Sequence, residues 1–419
     1  MTWTAAPTLH ETDQAEYRAD VGKVLSSFGK DAFARWEREG HTPREAPAAL
    51  GAAGLFRRRW EDGAEGGLPL LVAMCQEICR VSGGLALAAM GHSEIFIGAL
   101  RWLGETPSQL SLLESALDGR IIGCFGATEP HGGSNLRGVR TTAIAEGSGW
   151  RLKGTKRYIS NVGRADYVLV LAKPEKPEHV SDLSLFLLPL DHPGVSIDGF
   201  FDTVGMQGCD VGQITFDVTL PYDALLGRPG IGLLYATHLL QFERLAICAQ
   251  LTATADTALR LAVAYGRRRT VGDQRILDKQ AIRHKLANCQ AELWNLESRL
   301  SELVSVAQRN GKMPAHEISA LKLAAGESTG RIIDTCMQIF GARGYSKNFP
   351  LERLWRDARL ARLGGGTDEV LSDLIASGLD RHDPDADALI ARLEALDAPR
   401  NSPQTHSSAA SSNVRPVVA

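Results

Sequence analysis

At 419 residues the chain is longer than a single hydrophobic core usually serves, and a prior of roughly 150 residues per domain implies two or three domains. Hydrophobic residues make up 44% of it and charged residues 23%, an ordinary globular balance that excludes a disordered or fibrous chain. The net charge is only -3, with the arginines scattered among acids, so no global field favours nucleic acid or an anionic membrane.

From about Thr12 to Leu117 the pattern is helical, with Ala- and Leu-rich stretches at Leu68 to Arg80 and Gly84 to Leu103 broken by Gly and Pro clusters. Residues 1–120 are therefore expected to form an all-helical domain. From Ile121 to about Leu226 the texture changes to short β-branched or alternating runs: Thr141 to Ala145, Trp150 to Ser160, Tyr167 to Ala172, Leu183 to Leu190 and Gln213 to Val218. Glu146-Gly147-Ser148-Gly149 reads as a hairpin turn between two of them, and residues 121–229 as a small β-domain. After Pro229-Gly230 long helical periods return at Ile231 to Tyr265, Ile276 to Arg309 and Ala315 to Phe340, which predicts a helical bundle over residues 230–398. The tail, residues 399–419, is rich in Ser, Asn, Gln and Pro and is expected to be disordered.

The seven cysteines stand singly in apolar contexts, the pattern of reduced core thiols. No His or second Cys pair follows Cys75 and Cys79 at metal-ligand spacing, so no metal site is expected. No apolar run is read as approaching the ~20 residues that span a bilayer. The first twenty residues show no basic segment leading into an apolar one, and the expectation is a cytoplasmic protein.

Three segments carry candidate chemistry. Cys124-Phe125-Gly126-Ala127-Thr128-Glu129-Pro130-His131-Gly132-Gly133-Ser134 opens the β-domain. Glycines there let backbone amides approach a flat ligand, and the Thr128 and Ser134 hydroxyls can donate to ring nitrogen or carbonyl oxygen; an ordinary tight loop with a polar cap fits as well. In Lys156-Arg157-Tyr158-Ile159-Ser160-Asn161, strand alternation puts Tyr158 and Ser160 on one face, either as a shield and a hydroxyl for a ring or as a plain surface strand. Glu243 lies on the helix read over Ile231 to Tyr265, with Leu239, Leu240, Ala246 and Ile247 as same-face neighbours. Burial there raises a carboxylate's proton affinity and suits a general base. A Glu paired with an Arg of a neighbouring helix, or one reaching solvent at the bundle edge, fits the same pattern.

With these segments in this order, the chain resembles the acyl-CoA dehydrogenase family over nearly its whole length apart from the tail. The matching blocks are Thr128-Glu129-Pro130 to Ser134; Tyr158-Ile159-Ser160-Asn161, where many members have Trp-Ile-Thr-Asn; Arg268-Arg269-Thr270-Val271-Gly272, with Val271 in place of the common Phe; Gln338-Ile339-Phe340-Gly341-Ala342-Arg343-Gly344-Tyr345; and Leu354-Trp355-Arg356-Asp357. The resemblance implies an α+β multi-domain fold: an N-terminal all-α domain, a central β-barrel domain and a C-terminal α-helical bundle. It also implies a homotetramer with noncovalent FAD between subunits. Phe125, Thr128 and Ser134 would line the isoalloxazine and thioester region, Tyr158 and Ser160 would flank the ring, and Arg268 would reach the FAD diphosphate of a neighbouring subunit. Gln338 and Gly341 would meet the adenosine half, and Thr367 and Glu369 the pyrophosphate and ribose.

Most members carry Tyr-Glu-Gly-Thr, whose Glu is the catalytic base, where this chain has Gly364-Gly365-Gly366-Thr367. Members resembling isovaleryl-CoA and long-chain dehydrogenases instead place the base on a bundle helix within Glu-Arg-Leu, here Glu243-Arg244-Leu245. The implied reaction is α,β-dehydrogenation of an acyl thioester, on CoA or an acyl carrier protein, with Glu243 as base and the Gly365 amide polarising the thioester carbonyl. Gln241 and Arg244 would contact the substrate, Arg244 at its pantetheine end or else as a structural salt bridge. Glu94 would border the acyl pocket, as a recognition group for a polar or amino-bearing chain or as a solvated helix residue. The family's electron acceptor is an electron-transfer flavoprotein. A flavin monooxygenase or oxidase on the same fold is the alternative, favoured by Gly365 and opposed by Glu243.

Overall fold

The computed structural model describes residues 9–61, 67–175, 177–179, 182–379 and 383–397. The tail read as disordered lies outside the described residues. The chain divides into a unit of Met1–Ile375 and a second of Ala376–Ala419.

The first segment is helical throughout: Leu9–Ser27 (α1), Ala32–Glu39 (α2), Glu45–Ala52 (α3), Leu55–Trp60 (α4), Leu68–Val81 (α5), Gly83–Met90 (α6), Gly98–Leu103 (α7) and Pro107–Leu117 (α8). Local signals set several of these ends. Ser82 accepts from the Leu85 N–H to start α6, and Thr106 with Gln109 forms a reciprocal capping box ahead of Pro107 in α8. Between α6 and α7 the chain runs as a π-helix, Gly91–Ile97. The continuous 21-residue helix Gly83–Leu103 is long and apolar enough to cross a membrane, contrary to the sequence reading. Almost all of it is buried inside the protein, which makes it a core helix.

The wider π turn holds polar residues within this apolar run. His92 is fully buried, accepts from the Gly123 N–H at 3.0 Å and donates to the Ala116 carbonyl at 3.1 Å. Burial pushes its pKa down to about 4, so the neutral ring joins the helical domain to the first strand. Glu94 is not solvated. It is completely buried, accepting from Arg59 Nη2 at 2.7 Å and Ser93 Oγ at 2.8 Å, and Arg59 is equally buried, over the Trp60 ring.

The central segment contains Gly123–Gly126 (β1), Thr142–Glu146 (β2), Gly149–Ser160 (β3), Tyr167–Ala172 (β4), Ser184–Pro189 (β5), Val195–Phe200 (β6), Val211–Pro221 (β7) and Leu225–Leu226 (β8). The expected barrel takes the form of two four-stranded sheets, ordered β1-β4-β5-β8 and β2-β3-β7-β6. They share one core, in which Val168, Val170, Phe186 and Leu188 meet Leu152, Ile214, Phe216 and Val218. A bridge between Thr142 and Lys173 joins them along one side. The hairpin turns at Gly147-Ser148, with Glu146 opposite Gly149. β6 escaped the sequence reading because all of its residues stay half-buried or exposed, leaving no apolar alternation to detect.

The bundle is built from Gly232–Arg268 (α9), Gln280–Asn310 (α10) and Ala315–Phe340 (α11), preceded in α10's case by a short ribbon of Thr270–Val271 (β9) and Gln274–Arg275 (β10). Leu351–Leu360 (α12) and Asp368–Ala376 (α13) follow, and the second unit contains the helix Pro384–Asp397 (α14). Of the apolar positions of α9 that predicted the helix, Ile247, Leu251 and Leu259 are buried in the main core, whereas Leu234 is exposed. All seven cysteines are buried and unpaired, as the sequence implied.

The Arg59–Glu94 pair generates a stability prediction. Arg59→Met leaves a buried carboxylate without its cation and should cost about 3–5 kcal/mol. The double variant Arg59→Met, Glu94→Met should recover most of that loss in urea unfolding curves.

Candidate active site

Gly364-Gly365-Gly366-Thr367 is the loop from α12 to α13, and it is pressed against α9. Gly365 and Gly366 have φ of +65° and +104°, conformations that suit glycine. A β-carbon on Gly365 would stand 3.1 Å from Ile247 Cδ1, 3.5 Å from Arg244 Cγ and 3.8 Å from Glu243 Cδ. A side chain at 365 would therefore compete for the space that the Glu243 side chain uses.

Two buried cations fasten this loop. Arg244 on α9 donates from Nε to the Gly365 carbonyl at 2.8 Å, and from Nη1 to Ser319 Oγ at 3.2 Å and Gln241 Oε1 at 3.5 Å. Lys322, fully buried on α11, donates from Nζ to the Gly366 carbonyl at 2.5 Å. The Gly365 N–H, on the preceding peptide, acts on the Glu243 carboxylate and lowers its proton affinity. Gln241 is buried too, and its Nε2 donates to the Thr237 carbonyl at 3.0 Å. Arg244 Nε and Nη1 and Gln241 Nε2 are thus engaged by the protein, and among the described residues Arg244 fastens the loop without a salt bridge to an acid.

Glu243 is half-buried and lines a narrow apolar pocket. Leu87, Met90, Met206, Ile247, Leu251 and Leu360 supply most of its apolar wall, with Gly364 close to the carboxylate. Burial raises the carboxyl above its ordinary proton affinity; the charges of Arg244 and Lys322 and the Gly365 amide oppose that rise without cancelling it. A carboxylate so held, facing an apolar pocket, suits removal of a weakly acidic carbon-bound proton.

The loop after β1 and the end of β3 are joined where the Arg157 N–H donates to the Thr128 carbonyl at 2.8 Å. Behind them Glu129 is buried and accepts from the Arg140 and Thr141 amides, Thr141 Oγ1 and Lys156 Nζ. Burial would raise Glu129, but the Lys156 charge and these hydrogen bonds outweigh it and hold the carboxyl below the usual range. Phe125 is half-buried against the main core and Ser134 is exposed. The regular alternation expected through Tyr158 does not hold. The β3–β7 register shifts between Lys156 and Ile159, and Tyr158 takes a left-handed φ of 55° and is 55% exposed. The bulge re-aims Tyr158 onto Phe201, ring centroids 4.5 Å apart, with the Arg157 guanidinium over both; Ser160 is half-buried at the strand end.

At this edge the buried Nε of Arg157 has no partner, and a large ring stands uncovered on strained backbone. An unmatched donor beside an exposed aromatic face fits a flat ligand with a polar rim, as a flavin is. Thr367 Oγ1 accepts from the Val370 N–H at 3.4 Å, and Glu369 is exposed on the same first turn of α13. Arg268, Gln338 and Gly341 are exposed at the far end of the bundle, where Tyr265 and Phe340 stack with centroids 4.2 Å apart. Along α9 the 25 residues from Glu243 to Arg268 rise about 37 Å. The two groups therefore belong to different ends of one chain.

Sequence reasoning missed Lys322, Ser319 and Phe201. For Lys322 the signal was present. Its neighbours three and four residues away are Ile318, Ser319, Ala325 and Gly326, all small or apolar and all buried, the same context that singled out Glu243.

Comparison with known proteins agrees with this geometry along the chain. The N-terminal, middle and C-terminal domain families of acyl-CoA dehydrogenases match residues 11–120, 124–219 and 230–379. This chain belongs to the acyl-CoA dehydrogenase family. It is 30% identical over 365 residues to the acyl-[acyl-carrier-protein] dehydrogenase MbtN of Mycolicibacterium paratuberculosis, covering 85% of this chain and 92% of that protein. It is 31% identical over 352 residues to the mitochondrial short-chain specific acyl-CoA dehydrogenase of Bos taurus, covering 83% and 85%. The acyl-CoA dehydrogenase of Geobacillus kaustophilus superposes with a TM-score of 0.82 at 25% identity, over 91% of this chain and all of that one. A glutaryl-CoA dehydrogenase of Mycobacterium smegmatis, solved in complex with FADH2, shares the fold at a TM-score of 0.80 and 24% identity, over 88% and 94% of the two chains. As an acyl-CoA dehydrogenase-type enzyme this protein is a flavoprotein oxidoreductase acting on CH–CH groups.

The glycine loop gives a direct test. Gly365→Ala forces a β-carbon into the left-handed region and against Ile247, and should cost about 1–2 kcal/mol of stability in chemical denaturation. Gly364→Ala, at a position without positive φ and with only the Leu360 carbonyl at 3.8 Å, should cost less.

Proposed function

We propose that this acyl-CoA dehydrogenase family member converts an acyl thioester, carried on CoA or on an acyl carrier protein, to the trans-2-enoyl thioester, with Glu243 as the α-proton base and FAD as cofactor. One observation carries the reading: the Glu243 carboxylate lines an apolar pocket and packs against Gly365, in a loop that has no carboxylate of its own.

The α-proton of a thioester is far too weakly acidic for a carboxylate in water, so the carbonyl oxygen must be polarised as the proton leaves. The Gly365 amide is suited to that task. Arg244 and Lys322 hold the two peptides that follow it, and its own N–H, beside Glu243, can serve substrate in place of that carboxylate. Glu243, destabilised as an anion by burial, gains by accepting the proton. The cavity wall of Leu87, Met90 and Met206 seats the acyl chain and excludes water from the carbon that is deprotonated. FAD, when bound, supplies the hydride acceptor for the β-hydrogen. Thr128, Ser134, Tyr158 and Ser160, with Phe125 behind them, would receive its ring, and Thr367 with Glu369 its pyrophosphate and ribose.

Arg268, Gln338 and Gly341 lie too far along the bundle to serve that same flavin, so they would hold the diphosphate and adenosine of a cofactor in a second copy. Exposed Trp294, Tyr345 and Trp355 on the bundle are consistent with such copy-to-copy contact, in keeping with a homotetramer. An electron-transfer flavoprotein or similar acceptor would reoxidise the enzyme. Both carrier classes occur among the relatives: MbtN is named for an acyl carrier protein and the bovine enzyme for CoA.

The test is anaerobic mixing of the purified holoenzyme with short, branched and amino-bearing acyl thioesters, on CoA and on a carrier protein. Wild type should bleach its flavin, and Glu243→Gln should do so about 10²–10⁴-fold more slowly. Because Glu243 acts as the anion, the rate should climb with pH, along a limb above the ordinary glutamate pKa of about 4.3. Equal bleaching by the variant would make Glu243 structural, and oxygen-dependent product formation without bleaching would favour a monooxygenase.

A further inference from the structure

One peptide in the loop after β1 is held on one side and open on the other. Lys156 on β3 has no exposed surface, and its Nζ donates to Glu129 Oε1 at 2.8 Å and to the Ala127 carbonyl at 3.4 Å. The Ala127 carbonyl and the Thr128 N–H belong to the same peptide, and in a planar trans peptide they point in opposite directions. A carbonyl drawn in to the buried ammonium therefore turns the Thr128 N–H away from it.

The next peptide is closed on both sides. Its Thr128 carbonyl accepts from the Arg157 N–H at 2.8 Å, and its Glu129 N–H donates to the Gly132 carbonyl at 3.0 Å. By contrast, among the described residues neither the Thr128 N–H nor the Thr128 hydroxyl has a hydrogen-bond partner. The packing beneath the loop is cleared for the arrangement. A β-carbon on Gly126 would stand 3.3 Å from Lys156 Cβ and Cγ, and one on Gly154 would overlap the Thr141 hydroxyl that donates to Glu129. A buried ion pair adds little net stability over apolar residues of the same shape. What this pair supplies is a fixed direction for the peptide between Ala127 and Thr128.

We propose that Lys156 is a positioning residue for the flavin: by holding the Ala127 carbonyl it presents the Thr128 N–H to an acceptor atom on the rim of the ring, and Glu129 keeps the ammonium in place. The inference rests on the ring being received at Thr128 and Tyr158, as proposed above. Lys156 is the last residue of β3 in regular pairing with β7 before the bulge that turns out Tyr158. One strand thus fixes both the polar and the aromatic contact.

The test compares purified holoenzymes by the visible bands of their flavin and by the flavin fluorescence released on dilution, beside unfolding in urea. Lys156→Met alone leaves Glu129 buried without its cation and should be less resistant to urea. The double variant Lys156→Met, Glu129→Gln removes both charges and should regain most of that resistance. It should nonetheless retain FAD about two- to tenfold less well, the worth of one directed hydrogen bond, and show shifted visible bands. Wild-type FAD retention with unshifted bands in the double variant overturns the positioning role and leaves the pair structural. Wild type decides the matter if neither variant folds: its Thr128 amide should exchange with deuterated water more slowly in the holoenzyme than after FAD is stripped, and equal exchange overturns the proposal. Unaltered bands in Tyr158→Ala would instead remove the ring from this loop, a failure of the flavin assignment that is distinguishable from a failure of Lys156.

Discussion

Two buried cations on neighbouring helices hold two consecutive glycine carbonyls, and the active site is arranged around that clamp. Arg244 and Lys322 reach Gly365 and Gly366 from α9 and α11, so the loop between α12 and α13 cannot rotate its peptides without leaving an ammonium or guanidinium unmatched in the interior. That penalty fixes the Gly365–Gly366 and Gly366–Thr367 peptides against the two helices. The same two charges moderate the burial that would otherwise over-stabilise neutral Glu243.

The clamp also accounts for the exchange of residues between loop and helix. A side chain at 365 would meet Ile247, Arg244 and Glu243, while glycine both avoids them and accepts the left-handed backbone. The carboxylate and the loop glycine are thus two halves of one packing solution. Its frame is rigid for separate reasons. Phe242, next to the base, lies beside the Trp60 and Arg59 side chains, and Arg59 is neutralised by Glu94 in the π-helix. His92 in that π-helix in turn fixes the start of β1, which leads into Thr128. A run of buried, paired polar groups therefore connects the two edges of the site.

Much of this was legible in advance. Helical periodicity is a local property, and α9 and α11 follow it closely; glycine and proline clusters marked the hairpin and the change from helix to strand. Glu243 stood out because apolar neighbours at helical spacing are visible in one dimension. Lys322 stood in the same kind of context yet went unread, since the family pattern directed attention to carboxylates. Tyr158 was placed on a regular strand because a bulge depends on the pairing of β3 with β7, which no residue of β3 announces. Glu94 was judged as a helix residue alone, and its partner Arg59 is 35 positions away.

The sequence by itself determined the order of helical, β and helical segments, the loss of the loop carboxylate and the presence of another on α9, because periodicity, turn chemistry and residue identity are local. Only the tertiary structure decided that these meet: that Gly365 is packed against Glu243, that Arg244 is committed to the loop, and that Lys322 shares the site. Such relations join residues more than forty positions apart, and they exist only when folding removes water and leaves each buried charge to find its partner.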